Sequence, residues 1–361
     1  MFVAWRDLKF AKGRFALMGT VIVLITLLVG LLSGLTAGLG RQNISAITGL
    51  PADRIAFAAP SGGQELSYAD STVTEDQWRR WADAPGVTAA EPLGIATTRA
   101  TAGDRSTGVS AFGVRPGSPL APDSDRLEGS AAVLSTAAAD ELALRPGDTF
   151  ALAGQRLTVA AVRGDASFSH TPVIWTGLTT WQQAAPPGRA DGPVATVIAL
   201  TTGPDADLAA TDRAAGTETV ATEDSLSAIG SYTSENGSLQ LMRGFLFAIS
   251  ALVIGAFFTV WTIQRSADVA VLKALGASTA GLLKDALGQA LVLLTGGTLL
   301  GTGIAAGLGA LLAGSAVPFL LTPATVLVPA AVMILLGALG AGLSIRRITS
   351  VDPLTALGSA R

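Results

Sequence analysis

Three stretches of this chain carry no charged side chain: Phe15 to Gly40 (26 residues), Gly244 to Gln264 (21 residues) and Ala286 to Ile345 (60 residues). A helix needs about 20 apolar residues to cross the hydrocarbon core of a bilayer, and each charge at its centre costs roughly 2.5–3.5 kcal/mol. The first two stretches are one span each. The third is about 90 Å long as a single helix at 1.5 Å per residue, so it must fold back. Pro318, Pro323 and Pro329 cluster between Gly314 and Pro329 and mark the turn. The sequence therefore predicts four transmembrane helices, over 15–40, 240–264, 286–312 and 325–345, with a short turn at 313–324.

Orientation follows from where the basic residues lie. The N-terminal segment 1–14, the loop 265–285 and the tail 346–361 together hold ten Lys/Arg and four Asp/Glu, a net +6 that includes all four lysines (Lys9, Lys12, Lys273 and Lys284). Residues 41–239 hold 13 Arg, no Lys and 23 Asp/Glu, a net −10. Positive residues stay on the cytoplasmic side. The expectation is thus a multi-pass protein of the cytoplasmic (inner) membrane with both termini and the 265–285 loop inside and the large 41–239 segment outside. Three spans in the last stretch would instead export Arg346 and Arg347. The apolar run near the N-terminus is longer than the 7–15 residues of a signal peptide and no A-x-A-like site follows, so it reads as a retained anchor.

Composition removes most chemistry. The chain has 49% hydrophobic and 14% charged residues, a mean hydropathy of +0.50, no cysteine and one histidine, His170. Thiolate nucleophiles, disulfides, Cys/His zinc sites and the two-histidine HExxH site are excluded. His170 lies in Ser167-Phe-Ser-His-Thr-Pro, where it reads as structural, and the acidic residues of 41–239 are scattered as on a solvated surface. No hydrolytic constellation, metal site or nucleic-acid partner is implied. The segment itself reads as an α+β domain. Thr74-Glu-Asp-Gln77 is a capping box opening a helix to about Ala84, with Trp78 and Trp81 on one face and Pro85-Gly86 as its stop. Leu134-Ser135 opens a second helix to Leu144, ended by Pro146-Gly147. Thr149–Leu152 and Arg156–Val162 form a hairpin around Ala153-Gly154-Gln155, and Val173–Trp175 and Val194–Leu200 are further strands.

The 265–285 loop is the most specific piece. Ser266 can cap a short helix with Val269, Leu272 and Leu275 on one stripe and Lys273 beside it. Gly276 fits the left-handed position after its end, and Ser278 can cap the next helix. A two-turn amphipathic helix held by tight caps at the inner membrane face suits docking into a groove of a cytoplasmic partner; an interfacial helix that merely joins two spans is the alternative.

The run from Arg265 through Asp268 and Val271-Leu-Lys-Ala-Leu-Gly-Ala-Ser278 resembles the hallmark loop of the FtsX/MacB-like (type VII) ABC transporter permeases, with Asp268 where those proteins usually carry Glu. Asp7-Leu8 followed by Lys9, Lys12 and Arg14 resembles their amphipathic N-terminal segment, and Arg346-Arg347 with Asp352-Pro-Leu-Thr-Ala-Leu357 their C-terminal signature. Ala84-Pro-Gly-Val87, and Val133-Leu-Ser135 with Arg145-Pro-Gly-Asp148, match the extracytoplasmic domain more loosely. The resemblance implies one span, an outside domain, then three spans. It also implies a separate ABC ATPase subunit in two copies, a homodimer of the permease, and coupling through Arg265, Asp268, Val269, Leu272, Lys273, Leu275 and Gly276. The sequence agrees that the engine is elsewhere. A P-loop needs Gly-Lys-Ser/Thr, whereas the four lysines are followed by Phe10, Gly13, Ala274 and Asp285. ATP and Mg belong to the partner, and this chain is not an enzyme. ATP-driven closure would move the outside domains by mechanotransmission.

Gly30, Gly34 and Gly38 share one face of the first span and permit close backbone approach. That face can serve a homodimer or a contact within the same chain, and Gly297, Gly301, Gly303 and Gly307 offer a competing face on the third span. The compact, unfused four-span layout resembles the haem-exporting Hrt-type permeases. A haem site follows if the approach to the second span is helical. Tyr232, Glu235, Leu239 and Met242 then share a face at the outer membrane edge; Tyr, Glu and Met can ligate iron, and Arg243 can pair with a propionate. Against this, Tyr is enriched at interfaces and Gly237 weakens the helix. The leading expectation is efflux of a hydrophobic, membrane-partitioned compound, with haem the favoured cargo and no cofactor bound by this chain. The alternatives are a transmembrane signal transmitter acting on a cell-wall hydrolase or sensor, and an exporter of a drug or peptide.

Overall fold

The computed structural model describes residues 12–184, 193–230, 232–264, 271, 273, 275–312 and 317–349. The chain divides into two compact units, Leu39–Gly237 and Met1–Gly38 with Ser238–Arg361. Helices α1 (Lys12–Thr48) and α6 (Tyr232–Gln264) contribute residues to both.

The inserted unit, Leu39–Gly237, is built on twelve strands: β1 (Arg54–Ala58), β2 (Val73–Thr74), β3 (Val87–Ala102), β4 (Arg105–Val114), β5 (Ala131–Leu134), β6 (Thr149–Leu152), β7 (Gln155–Val162), β8 (Ser167–Phe168), β9 (Thr171–Gly177), β10 (Pro193–Ala195), β11 (Val197–Thr202) and β12 (Thr217–Ala221). Four short helices accompany them: α2 (Glu75–Ala82), α3 (Thr136–Leu142), α4 (Leu178–Ala184) and α5 (Leu208–Ala215). The main sheet runs β12-β1-β11-β3-β4-β9-β5-β7-β6, and β6 pairs back onto β3 through Ala100↔Leu152 and Thr101↔Ala151. That last pairing closes β3, β4, β9, β5, β7 and β6 into a barrel. Two of its seams, β4/β9 and β5/β7, are parallel.

Strand β3 belongs to two neighbourhoods. Its residues 87–93 pair with β11 and its residues 94–102 with β4. At the changeover Gly94 lies directly opposite Gly113. The indole of Trp181, on α4, lies over this side-chain-free patch; a methyl group at Gly94 would sit 2.3 Å from the ring, and one at Gly113 would sit 2.4 Å from the Trp181 Cβ. A second aromatic cluster fills the neighbouring core: Phe57, Tyr68, Phe168, Phe112 and Trp175 meet edge to face at centroid distances of 4.9–5.6 Å, the favourable geometry for ring quadrupoles. Tyr68 donates to Ser225 Oγ at 2.8 Å, and its burial pushes the phenol pKa above the ordinary 10.

Local signals match closely where the chemistry is local. Thr74 and Gln77 form the reciprocal capping box, and Trp81 of α2 is fully buried with its indole N–H on Thr217. Ser135 caps α3. That helix ends at Leu142, earlier than Pro146-Gly147 suggested. Ala143 adopts the left-handed conformation (φ 54°) and the Leu144 N–H returns to Ala139 O at 2.9 Å, closing the helix before the proline is reached. The β6–β7 turn is the two residues Ala153 and Gly154, φ 48° and 85°, the left-handed pair that suits the strand twist.

The helical unit contains the first part of α1, most of α6, and α7 (Thr279–Leu312) and α8 (Pro323–Thr349). Four segments are long and apolar enough to cross a membrane: Ala16–Thr48, Tyr232–Gln264, Ala280–Leu312 and Pro323–Leu343. Met18, Ile22 and Val29 of α1, Ile254, Phe258 and Trp261 of α6, Leu294 of α7 and Met333 of α8 form a common core. Leu24, Leu28, Leu252, Leu299, Leu335 and Leu343 point outward and are exposed, as expected where the surrounding solvent is lipid. Pro323 occupies the first helical position of α8, where its missing N–H costs nothing; Thr322 and Thr325 cap that end reciprocally at 3.2 and 2.9 Å.

Gly94→Ala drives a methyl into Trp181. The expected cost is about 1–3 kcal/mol, read as a lower denaturant midpoint by tryptophan fluorescence, with exposed Gly108→Ala of β4, where a methyl meets only Thr171 at 3.9 Å, as the control for an uncrowded strand glycine.

Candidate functional site

The sequence singles out three places: the glycine face of α1, the loop between α6 and α7, and the first turns of α6.

The glycine face is filled from within the chain. A methyl at Gly30 would lie 2.8 Å from Ala305 of α7, one at Gly34 2.3 Å from the Phe319 ring, and one at Gly38 1.9 Å from the Pro318 carbonyl oxygen. Phe319 is also pressed against Gly309 of α7, and the Leu320 N–H donates to Gly34 O at 3.0 Å. Gly297 and Gly301 of α7 in turn admit Ile22, Val23 and Thr26 of α1, whereas Gly303 and Gly307 meet nothing within 4 Å. This face, which the sequence leaves open to a homodimer or to a contact within the chain, seats the α7–α8 connection of the same chain.

In the α6–α7 loop, Arg265, Ser266, Asp268, Val269 and Leu272 lie outside the described residues, as do Asp7, Leu8, Lys9 and the 352–357 segment. Val271 and Lys273 are helical; the Leu275 N–H donates to Val271 O and the Gly276 N–H to Lys273 O, both at 3.0 Å. Gly276 has φ 92°, a left-handed conformation that ends this turn. Ser278 Oγ accepts from the Gly281 N–H at 3.2 Å and so caps α7. Val271 and Leu275 are 53% and 79% exposed, large apolar side chains with room for a partner.

Tyr232, Glu235, Leu239, Met242 and Arg243 all lie on α6, so the approach to the second span is helical and Gly237 is carried within it. Their environments differ. Tyr232 packs against the aromatic core of the inserted unit. Met242 is 48% exposed. Arg243 is half-buried and donates to Thr36 Oγ1 of α1 at 3.1 Å. Glu235 is held: Asn43 Nδ2 donates to its Oε2 at 2.8 Å, and His170 Nε2 lies 2.6 Å from the same oxygen. His170 reads from sequence as structural; 65 positions separate it from Glu235, and no local pattern links them. Among the described residues no group of three or more His, Cys, Asp or Glu is placed to hold a metal ion.

The family described as "MacB-like periplasmic core domain" matches residues 15–218, and "FtsX-like permease C-terminal" matches residues 241–353. A "Putative hemin transport system permease protein HrtB" of Staphylococcus haemolyticus is 25% identical over 99% of both chains. An "Uncharacterized ABC transporter permease" (Rv2563) of Mycobacterium tuberculosis is also 25% identical over 99% of both. Among solved structures, the periplasmic region of MacB from Actinobacillus actinomycetemcomitans aligns at 10% identity and a TM-score of 0.38, covering 49% of this chain and 92% of that one.

Gly34→Ala is expected to cost about 1–3 kcal/mol by displacing Phe319. Most of that cost disappears in a Phe319→Ala background, because the two residues share one contact. Thermal melts of the four purified proteins in one detergent check this; equal costs in both backgrounds would refute the seat.

Proposed function

This chain belongs to the FtsX/MacB-like ABC transporter permeases, and from that premise we propose that it exports haem, driven by a separate ATPase. As a member of the family it is a non-catalytic, multi-pass membrane subunit that works with an ATPase partner. The single observation that carries the cargo is the end-to-end likeness to proteins named as hemin transport permeases, 25% identical over 99% of both chains. The family match alone fixes no substrate.

In this reading the positive 1–14, 265–285 and 346–361 segments are cytoplasmic and the acidic inserted unit lies outside. Two copies sit on two ATPase subunits. The partner grips the exposed Val271 and Leu275 with Arg265, Asp268, Val269, Leu272 and Lys273, while the left-handed Gly276 and the Ser278 cap keep the turn short enough to pass force into α6 and α7. Because α1 and α6 each run without a break into the inserted unit, closure of the ATPase pair moves that unit directly. Cargo meets α6, where Met242 is accessible, Tyr232 and Glu235 supply oxygen, and Arg243 supplies a positive charge for a propionate. The homodimer needs a face other than Gly30, Gly34 and Gly38 as these now stand, or the departure of Phe319.

Titration of the purified protein with haem tests the cargo. A saturable Soret shift is expected, with affinity about tenfold lower (roughly 1.4 kcal/mol) in Met242→Ala and in Tyr232→Phe; an unchanged Soret band for the wild type removes haem. The coupling role is tested separately: Leu272→Asp and Gly276→Val should insert normally yet lose stimulation of the partner's ATP turnover, and wild-type stimulation in both would remove it.

A further inference from the structure

Hydroxyl groups on the membrane helices commonly settle on a carbonyl of their own helix, as Ser250 does on Leu246 O, Thr259 on Gly255 O and Thr262 on Phe258 O. Thr26 of α1 does not. It is only 2% exposed, and its Oγ1 has no hydrogen-bond partner among the described residues. The helix is closely covered there: a methyl at Gly301 of α7 would lie 2.9 Å from Thr26 Cβ and 2.7 Å from Val23 O. A buried hydroxyl without a partner is costly, and in native structures such a group calls for an explanation.

Thr26 borders a small cavity where α1, α7, the α7–α8 connection and α8 meet, and two further sources of polar groups border it as well. Thr302 of α7 brings a second hydroxyl. From α8 come Thr325 and Pro329. Pro329 lies inside that helix and has no N–H, so the carbonyl of Thr325, four residues earlier, lacks its helical donor. The Thr325 hydroxyl is already spent at the start of α8: it accepts from the Thr322 N–H at 2.9 Å and donates to Leu320 O at 3.0 Å. A freed carbonyl and two hydroxyls thus gather around one cavity whose other walls are apolar, Phe319 among them. Its volume is about 10 Å³, the room that a single water needs.

We propose that this cavity is a binding site for one ordered water, held by Thr26 Oγ1, Thr302 Oγ1 and the Thr325 carbonyl, which ties α1 and α7 to the first turns of α8. The chemistry balances. A water has two protons to donate and two lone pairs to accept with. It donates to Thr325 O in place of the N–H that Pro329 lacks, donates to one threonine hydroxyl and accepts from the other. A lipid chain can do none of this, and a proline inside a membrane helix is tolerated where water or a hydroxyl re-satisfies the backbone it frees. The site also explains why a polar residue is buried at position 26, behind the Phe319 wedge: the water and the aromatic ring hold the same piece of chain against α1 by different means. The inference rests on packing within the helical unit and on neither the cargo nor the ATPase of the reading above.

Water-edited solid-state NMR of the full chain in lipid bilayers tests the site without any activity. Thr26 and Thr325 should receive magnetisation from water, whereas Val29, fully buried one turn along α1, should not. No transfer to Thr26 and Thr325, or transfer from lipid acyl protons in place of water, overturns the proposal. Thr26→Val keeps the side-chain shape and removes the hydroxyl. It should abolish the water transfer at Thr325 and lower the Tm in one detergent by roughly 2–4 °C. A raised Tm is the result for a hydroxyl that bonds nothing, and overturns the site. Thr26→Ser, which keeps the hydroxyl, should restore the transfer at Thr325. In a Pro329→Ala background, where an N–H becomes available to Thr325 O, Thr26→Val should cost less than half as much; an equal cost in both backgrounds counts against the shared water and overturns it. The wild-type spectrum decides the matter alone if a variant does not fold.

Discussion

Lipid offers no partner for a backbone N–H or C=O, and that single fact organises the helical unit. Its apolar residues lie in helices that satisfy their own backbone, and several polar side chains turn back on the same helix: Ser250 Oγ donates to Leu246 O at 2.6 Å, Thr259 Oγ1 to Gly255 O at 2.9 Å, and Thr262 to Phe258 O. The difficult place is the non-helical link between α7 and α8. There Pro318 removes one donor, Thr322 and Thr325 cap the next helix, and Leu320 N–H finds Gly34 O. In this structure the glycine stripe of α1 lets the Leu320 N–H come close enough to bond Gly34 O, and any side chain at Gly34 or Gly38 would hold that segment away.

The inserted unit follows the opposite logic. It stands on ordinary burial, with large aromatic groups meeting edge to face and strands whose inward positions are nearly all apolar. Its polar contacts sit at the joints: Asp212 gathers Thr217 and Thr219, and Asp53 gathers Thr202 through backbone and hydroxyl. None of these carboxylates is arranged around a reacting centre. They accept from backbone N–H groups and threonine hydroxyls.

How much of this was legible in the sequence divides by distance along the chain. The charge gaps announce the four helices because insertion cost is a property of each segment alone. Thr74 with Gln77, Ser135, Ala153-Gly154 and Gly276 are equally readable, since a cap or a left-handed turn is settled by residues within four of each other. Closure of β6 onto β3, the parallel seams, and the change of partner at Gly94 depend on pairings 27 to 115 residues apart, for which alternation of apolar residues gives no address. Phe319 looked like any apolar residue of a turn, and only its two glycine neighbours, Gly34 and Gly309, make it a wedge. His170 reads as structural in the sequence, but its partner Glu235, and the Asn43 that shares that carboxylate, lie far from it along the chain and no local pattern names them.

Under the haem reading proposed above, Glu235 carries two demands that cannot both be met in full. As an iron ligand it must present an oxygen to cargo; as the junction of α1, the β8–β9 turn and α6 it already receives Asn43 and His170 on Oε2. Cargo that draws on this carboxylate must weaken those two bonds, and by linkage those bonds must weaken cargo binding by the same factor. A carboxylate shared in this way makes occupancy at the mouth of α6 and the stiffness of its first turn one equilibrium. The residues that escape the conflict are Met242, exposed and free of that junction, and Tyr232, one turn before Glu235. In the proposed haem reading, cargo affinity resides chiefly in those two.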